Sequence, residues 1–417
     1  MDEEPTYVEY TLDLITYHSH QVKTKEYETK KAKYLILNSE DTSNNGDNHY
    51  RSITLCPETK QILCYSPPKS LTPEEFKEKN QELNDTIFIN EIIEGTMINL
   101  FYDSRIQSWE IGTKGAIGGN YWFFRNQYSI GNNEEFKEKK QPTFRRMFLD
   151  ACRANDDDDI NDLPFLEYLP KEYSYSFVLQ HPANHITKRV LSPVVYLVAV
   201  YHLLDSRVVA IPQTVFEEWD CFLGIRGILE FPHRYEEETY EEVQNKYCSL
   251  DSPFDSVGIM FYNLKTGERM SMENEAYKKV RELRGNHPNL QYQYLCLRHS
   301  GKVVEFLGFF PQYKKIFYQF YKQYNDFVTQ IHQSYVSYYV MKSGIRISKK
   351  YFPLVYKLHH EVFLPSSNME TGEKLIIRRA VVSEFIKGVE PNSLIYYLNY
   401  NKQEKEEKEE KEENMVL

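Results

Sequence analysis

After Val303 the aromatic residues fall at three- and four-residue steps: Phe306, Phe309, Phe310, Tyr313, Phe317, Phe320, Tyr321, Tyr324 and Phe327. That spacing gathers rings on one face of an α-helix and cannot belong to a strand, whose faces alternate every second residue. Upstream the pattern differs. Tyr50 to Leu55 and Gln61 to Ser66 flank a turn-like Pro57-Glu58-Thr59-Lys60, and Ile98 to Asp103 and Trp109 to Thr113 flank Ser104 to Ser108. Each pair of short β-rich runs reads as a hairpin. Strands followed by helices predict an α+β chain with a domain boundary near residue 300.

The remaining segments fit this division. Residues 1–48 form a strand-rich N-terminal extension ending in the polar cluster Ser39 to Asn48, a loop by composition. Within 49–300, Gln141 to Arg153 reads as helix, and Ala154 to Asp162, with four consecutive aspartates, breaks it. Strands are expected at Tyr175 to Leu179, Val190 to Tyr201 and Gly258 to Asn263, the last entering a turn at Lys265-Thr266-Gly267. The acidic stretch Phe231 to Lys246 has helical period. Residues 301–400 form the helical domain, its aromatic stripe the packed interior and its outer side open to a protein partner. The Glu/Lys repeat of 401–417 has no apolar anchor and reads as a disordered tail.

Charge narrows the function. The 417 residues carry 50 Lys and Arg against 61 Asp and Glu, a net of −11, which excludes broad sequence-independent adhesion to nucleic acid but not a local basic cleft. Six cysteines without a C-x-x-C pair or histidines at zinc spacing read as free thiols in a reducing compartment. The start Met1-Asp2-Glu3-Glu4-Pro5 lacks the basic and apolar character of a leader. The longest apolar run, Val194 to Leu204, is too short to cross a bilayer. A soluble intracellular protein with no membrane partner is expected.

Five motifs in order carry a chemical pattern: Cys64-Tyr65-Ser66-Pro67-Pro68-Lys69-Ser70; Ile92-Ile93-Glu94-Gly95-Thr96; Thr113-Lys114-Gly115-Ala116-Ile117 with Gly118-Gly119-Asn120; Ser176 to Ile186; and Val257-Gly258-Ile259-Met260 with Arg269-Met270-Ser271. Over residues 50–275 this series resembles the T4 RNA ligase 1-like nucleotidyltransferases. Glu94-Gly95-Thr96-Met97-Ile98-Asn99, Gly118-Gly119-Asn120 and Leu283-Arg284-Gly285-Asn286 also look like ligase-like proteins of nucleocytoplasmic large DNA viruses, which implies a viral origin and, with it, the host cytoplasm. The resemblance implies an antiparallel-sheet nucleotidyltransferase domain of ATP-grasp-like ligase type, followed by an all-helical C-terminal domain.

The departures from the family pattern fall where the chemistry would be. Ile92 stands where the family has its nucleophilic lysine, and isoleucine has no lone pair to attack an α-phosphate. Val178 and Val257 replace glutamates, His185 an arginine, and Arg269 and Ser271 a pair of lysines. What the resemblance leaves as ligand-binding candidates is Glu94, Thr96, Lys114, His181 and Arg269, with Gly118-Gly119 allowing close backbone approach. Side chain by side chain, Lys114 and Arg269 could equally pair with surface acids, and His181 before Pro182 reads as a strand-end histidine held by backbone. A second set, Tyr277, Arg281 and Arg284 with Lys278, Lys279, Arg298, Tyr292 and Tyr294, has the make-up of a single-strand binding face or of a solvated helix. Lys342, Arg346, Lys349 and Lys350 sit near an expected helix end. The aspartate run reads as solvated rather than metal-binding.

Three functions stay open: a degenerate ligase that binds a nucleotide or RNA as a scaffold, a divergent active RNA ligase that reacts through another lysine such as Lys69 or Lys114 or accepts an already activated end, and an assembly protein with an empty pocket. No cofactor is required; ATP and magnesium enter only if the pocket keeps a ligand.

Overall fold

The computed structural model describes residues 7–12, 22–39, 47–121, 142–184, 186–223, 225–287, 289–344, 346–367 and 375–400. The charged tail, His185 and most of the 39–48 loop lie outside them. The described residues fall into two compact units that divide between Arg284 and Gly285, upstream of the change in aromatic spacing.

The first unit holds every described strand: β1 (Val8–Thr11), β2 (Val22–Glu28), β3 (Lys33–Ser39), β4 (Ile53–Leu55), β5 (Ile62–Tyr65), β6 (Ile87–Glu91), β7 (Thr96–Asp103), β8 (Ser108–Thr113), β9 (Ala116–Ile117), β10 (Tyr173–Gln180), β11 (Val194–Leu204), β12 (Arg207–Ile211), β13 (Leu229–Glu230), β14 (Gly258–Asn263) and β15 (Arg269–Glu273). They build three sheets, ordered β1-β12-β11-β10-β7-β8-β9, β2-β3-β4-β5 and β15-β14-β6, with β13 added beside β11. All pairings are antiparallel except that of β13. Both predicted hairpins are present, as β4–β5 and β7–β8.

Strand alternation decides what each face of the large sheet meets. Ile98 and Leu100 of β7 and Tyr175, Phe177 and Leu179 of β10 point to one side, where Phe144, Met147 and Phe148 of the predicted helix, here Phe144–Ala151, cover them. On the other side Phe101 of β7 packs with Tyr34, Ile36 and Leu63 of the four-stranded sheet, and between them lies a set of polar residues. The Asn99 amide donates to Ser66 Oγ at 2.6 Å and the Ser176 hydroxyl to Asn99 Oδ1 at 2.8 Å. Ser174 Oγ accepts from Tyr65 N at 3.2 Å. Such a satisfied polar seam fixes the register of two sheets that apolar contact alone would leave free to slide.

The helical reading of 231–246 is corrected: only Tyr240–Tyr247 is helix. Pro232 lacks a donor, and the preceding segment is drawn into extended pairing, with Glu91 N donating to His233 O at 2.9 Å and Tyr235 N to Ile89 O at 3.0 Å. The helix starts where Thr239 and Glu242 form a reciprocal cap.

The second unit, taken by itself, contains helices and, among its described residues, no strand. Its longest helix, Lys314–Tyr335, buries Phe317, Phe320, Tyr324 and Phe327, and Phe306 stacks on Phe317 with ring centres 5.0 Å apart. The aromatic stripe is therefore core, while Tyr321 at its margin stays exposed. No helix among the described residues is long and apolar enough to cross a membrane.

Candidate functional site

A cleft of about 590 Å³ opens in the first unit where the three sheets approach one another. Its floor follows from strand register: Met97 of β7 pairs with Val178 of β10, and Val198 of β11 lies beside them. The chain leaves the three-stranded sheet at Glu91 and enters the large sheet at Thr96. Ile92 and Ile93 occupy the crossing, with Ile92 N bonded to Gly258 O at 2.9 Å. Val257 and Met260 close the far wall. Ile92, Val178 and Val257, where a lysine and two acids were looked for, thus line one cavity.

Its rim is cationic. Arg51, Lys69, Lys114, Arg269 and Arg281 line it against two carboxylates, Glu91 and Glu273. Both acids are engaged: Glu91 Oε1 accepts from His233 N at 3.0 Å, and Glu273 faces Arg281 at 3.5 Å. Lys69 donates to Ser39 Oγ at 3.2 Å. Burial lowers the pKa of the Arg51 guanidinium, and the nearby positive Arg269 lowers it further. Arg269 Nε is buried with no hydrogen-bond partner among the described residues, and Nη2 meets only the thioether of Met260, at 3.5 Å. In a chain of net charge −11, Arg51 and Arg269 thus bring two guanidiniums together on the lining of one cleft, an arrangement that can accept an anion. Arg51 lies in the bend just before β4, and a lone cation there carries no motif that the sequence alone could single out.

The other candidates, Glu94, Thr96 and His181, lie outside the cleft lining. Glu94 is 8% exposed. Its carboxylate accepts from the backbone N–H of Ile186 at 3.0 Å, Thr187 at 2.8 Å and Lys188 at 3.2 Å, bracing the loop after β10. Thr96 accepts from the Asn184 amide at 2.9 Å on the same loop. His181 Nδ1 accepts from Ala183 N at 3.0 Å, Nε2 lies 3.4 Å from Asp150, and burial depresses the ring's pKa. The strand-end reading of His181 holds, and its ring is not at the cleft. Gly95 is needed for close packing, since a Cβ there would lie 2.4 Å from Leu179 O. Gly118 and Gly119 adopt positive φ and bring backbone against the first turn of helix Phe144–Ala151, where Gly119 O accepts from Arg145 N at 2.9 Å; they approach this helix and no ligand space.

The proposed nucleic-acid face on helix Glu275–Arg284 does not form. Tyr277 is 2% exposed and Arg284 is buried. Burial, followed by the Glu94 carboxylate, raises the Tyr277 phenol above its ordinary pKa, and Arg281 lies over its ring at 5.9 Å. Of the three, Arg281 lines the cleft. In the second unit Tyr294 is buried, and Arg298 packs 3.9 Å from the Tyr324 ring as a core cation–π contact. Lys350 is buried over Tyr351 and Phe327, while Lys342, Arg346 and Lys349 are exposed. In the aspartate run, Asp159 pairs with Arg145 and Asp158 accepts from Asn155 N at 2.7 Å.

No protein-family model matches the chain. The "Immediate-early protein ICP-46 homolog" of Invertebrate iridescent virus 6 is 24% identical over 304 residues, covering 71% of this chain and 63% of that protein, so the chain spans less than two thirds of this relative's length. Among solved structures it is similar to a putative ATP-dependent DNA ligase from Aquifex aeolicus, with TM-score 0.41, 11% identity and coverage of 77% of this chain and 78% of that one. It is also similar to an archaeal ATP-dependent RNA ligase, with TM-score 0.39, 12% identity and coverage of 90% and 84%. A mutant Naegleria gruberi RNA ligase with ATP and Mn aligns at TM-score 0.35 and 11% identity over 66% and 83% of the two chains.

Proposed function

We propose that the first unit is an RNA-ligase-like nucleotidyltransferase domain that binds a nucleotide or a 5′-phosphorylated RNA end without reacting with it. The observation that carries this reading is convergence. Positions picked out by motif order along two hundred residues, Lys69, Ile92, Lys114, Val178, Val257 and Arg269, meet around one cleft. The phosphate-facing cations persist there, while the covalent step has no reagent at Ile92. Self-adenylation requires an amine to attack the α-phosphate and expel pyrophosphate, and neither isoleucine nor the flanking valines can supply or orient one. The iridescent-virus relative supports a viral origin and, with it, action in a host cell.

Purified protein incubated with α-labelled ATP and magnesium or manganese is expected to retain no acid-stable label, while ATP and 5′-phosphorylated RNA bind with salt-sensitive affinity. Lys114→Ala weakens that binding. A second reading is favoured by one observation, that Lys69 and Lys114 both line the cleft. If either amine acts as a displaced nucleophile, label appears and is lost in Lys69→Ala or Lys114→Ala. Absence of binding to either ligand would leave the assembly-protein reading.

A further inference from the structure

We propose that the cleft takes its phosphates directly on guanidinium and ammonium groups, with no divalent cation between ligand and protein. This rests on the reading of the cleft as a nucleotide site and concerns how that site is charged. A metal-assisted phosphoryl site needs hard oxygen donors that hold magnesium or manganese against the ligand's oxygens. The donor set here does not fit that demand. The two carboxylates of the lining already have partners, one Glu91 oxygen accepting from the His233 backbone N–H at 3.0 Å and Glu273 facing the Arg281 guanidinium at 3.5 Å. Much of the remaining lining is hydrocarbon or thioether, from Ile92, Val178, Val257 and Met260, and its other side-chain oxygens are the neutral ones of Asn90, Ser70 and Ser271, which bring no charge to hold a dication. A dication there would also face the positive rim.

The same geometry supplies what the metal would have supplied. A metal neutralises phosphate charge; here Arg51 and Arg269 line the same cleft, where burial and then the neighbouring Arg269 charge lower the Arg51 pKa, and an anion between them relieves that repulsion. Arg269 holds a buried Nε–H without an acceptor, and a phosphate oxygen provides one. Magnesium bound to a triphosphate occupies those same oxygens and cancels two of their charges. On this account the metal competes with the protein for the ligand.

Isothermal titration of the full chain with ATP, in excess EDTA and then in excess magnesium, separates the possibilities. Binding in EDTA is expected to be at least as tight as in magnesium. Arg269→Ala and, independently, Arg51→Gln, each checked for an unchanged unfolding midpoint, are expected to weaken EDTA binding about tenfold or more, the effect of losing a charge-assisted hydrogen bond. Binding that appears only with magnesium or manganese overturns the inference and leaves the nucleotide site standing. Failure to bind ATP in either medium overturns the inference and the nucleotide site together, and leaves the 5′-phosphorylated RNA end as the ligand to be titrated.

Discussion

Glu94 looks like a ligand residue in the sequence and acts as a brace in the fold, so removing it should damage stability and spare binding. Its carboxylate accepts three backbone N–H groups of the loop after β10, two of them at 2.8 and 3.0 Å, from a buried position beside Tyr277. Hydrogen bonds to charged groups contribute about 1.5–3 kcal/mol each, and their loss here orphans buried donors. Two strong bonds and one longer one put Glu94→Ala at roughly 3–5 kcal/mol destabilised. In a unit of this size that corresponds to an unfolding midpoint lower by about 6–15 °C. Glu94→Gln keeps one acceptor oxygen and should cost roughly half as much. Differential scanning calorimetry reads the first quantity, and ATP titration well below the midpoint reads the second, expected to change less than about twofold because Glu94 is absent from the cleft lining. An unchanged midpoint with abolished ATP binding would refute the brace and return Glu94 to the ligand.

Ile92→Lys alone should not confer acid-stable labelling by ATP, because Val178 and Val257 still face the new amine where acids would be needed; full ligation by this variant would disprove that account. Gly95→Ala should destabilise the first unit by about 1–3 kcal/mol or more in urea denaturation, since its Cβ would lie 2.4 Å from Leu179 O and 2.7 Å from Val178 Cγ1. Burial lowers the pKa of His49, His181 and His359, so the unfolded chain takes up protons first as pH falls. Stability should decline on acidification from about pH 6.5 towards those depressed values, and His181→Asn should flatten the slope of midpoint against pH. A slope identical in wild type and variant would remove His181 from this effect.

Much of the fold was legible locally. The β4–β5 and β7–β8 hairpins, the Phe144–Ala151 helix and the buried aromatic stripe of Lys314–Tyr335 follow from side-chain period and turn residues, which act over a few positions. The 231–239 segment misled because its acidic period is helical, whereas Pro232 and pairing to residues 89–91 hold it extended. The loss of an amine at Ile92, and of acids at Val178 and Val257, is likewise a statement about residue identity that needs no coordinates.

Which side chains share a cavity is a different kind of fact. The order of residues along the chain placed Lys69, Lys114 and Arg269 in candidate motifs, but only the approach of three sheets brought them to one rim with Arg51. The same packing turned Glu94, Thr96 and His181 towards a loop and folded Tyr277 and Arg284 inward. Composition and period constrain backbone conformation, because those forces are short-ranged. The direction a polar side chain finally takes is settled by whichever buried donor or acceptor most needs a partner, and that partner can lie ninety residues away, as the Thr187 amide does for Glu94.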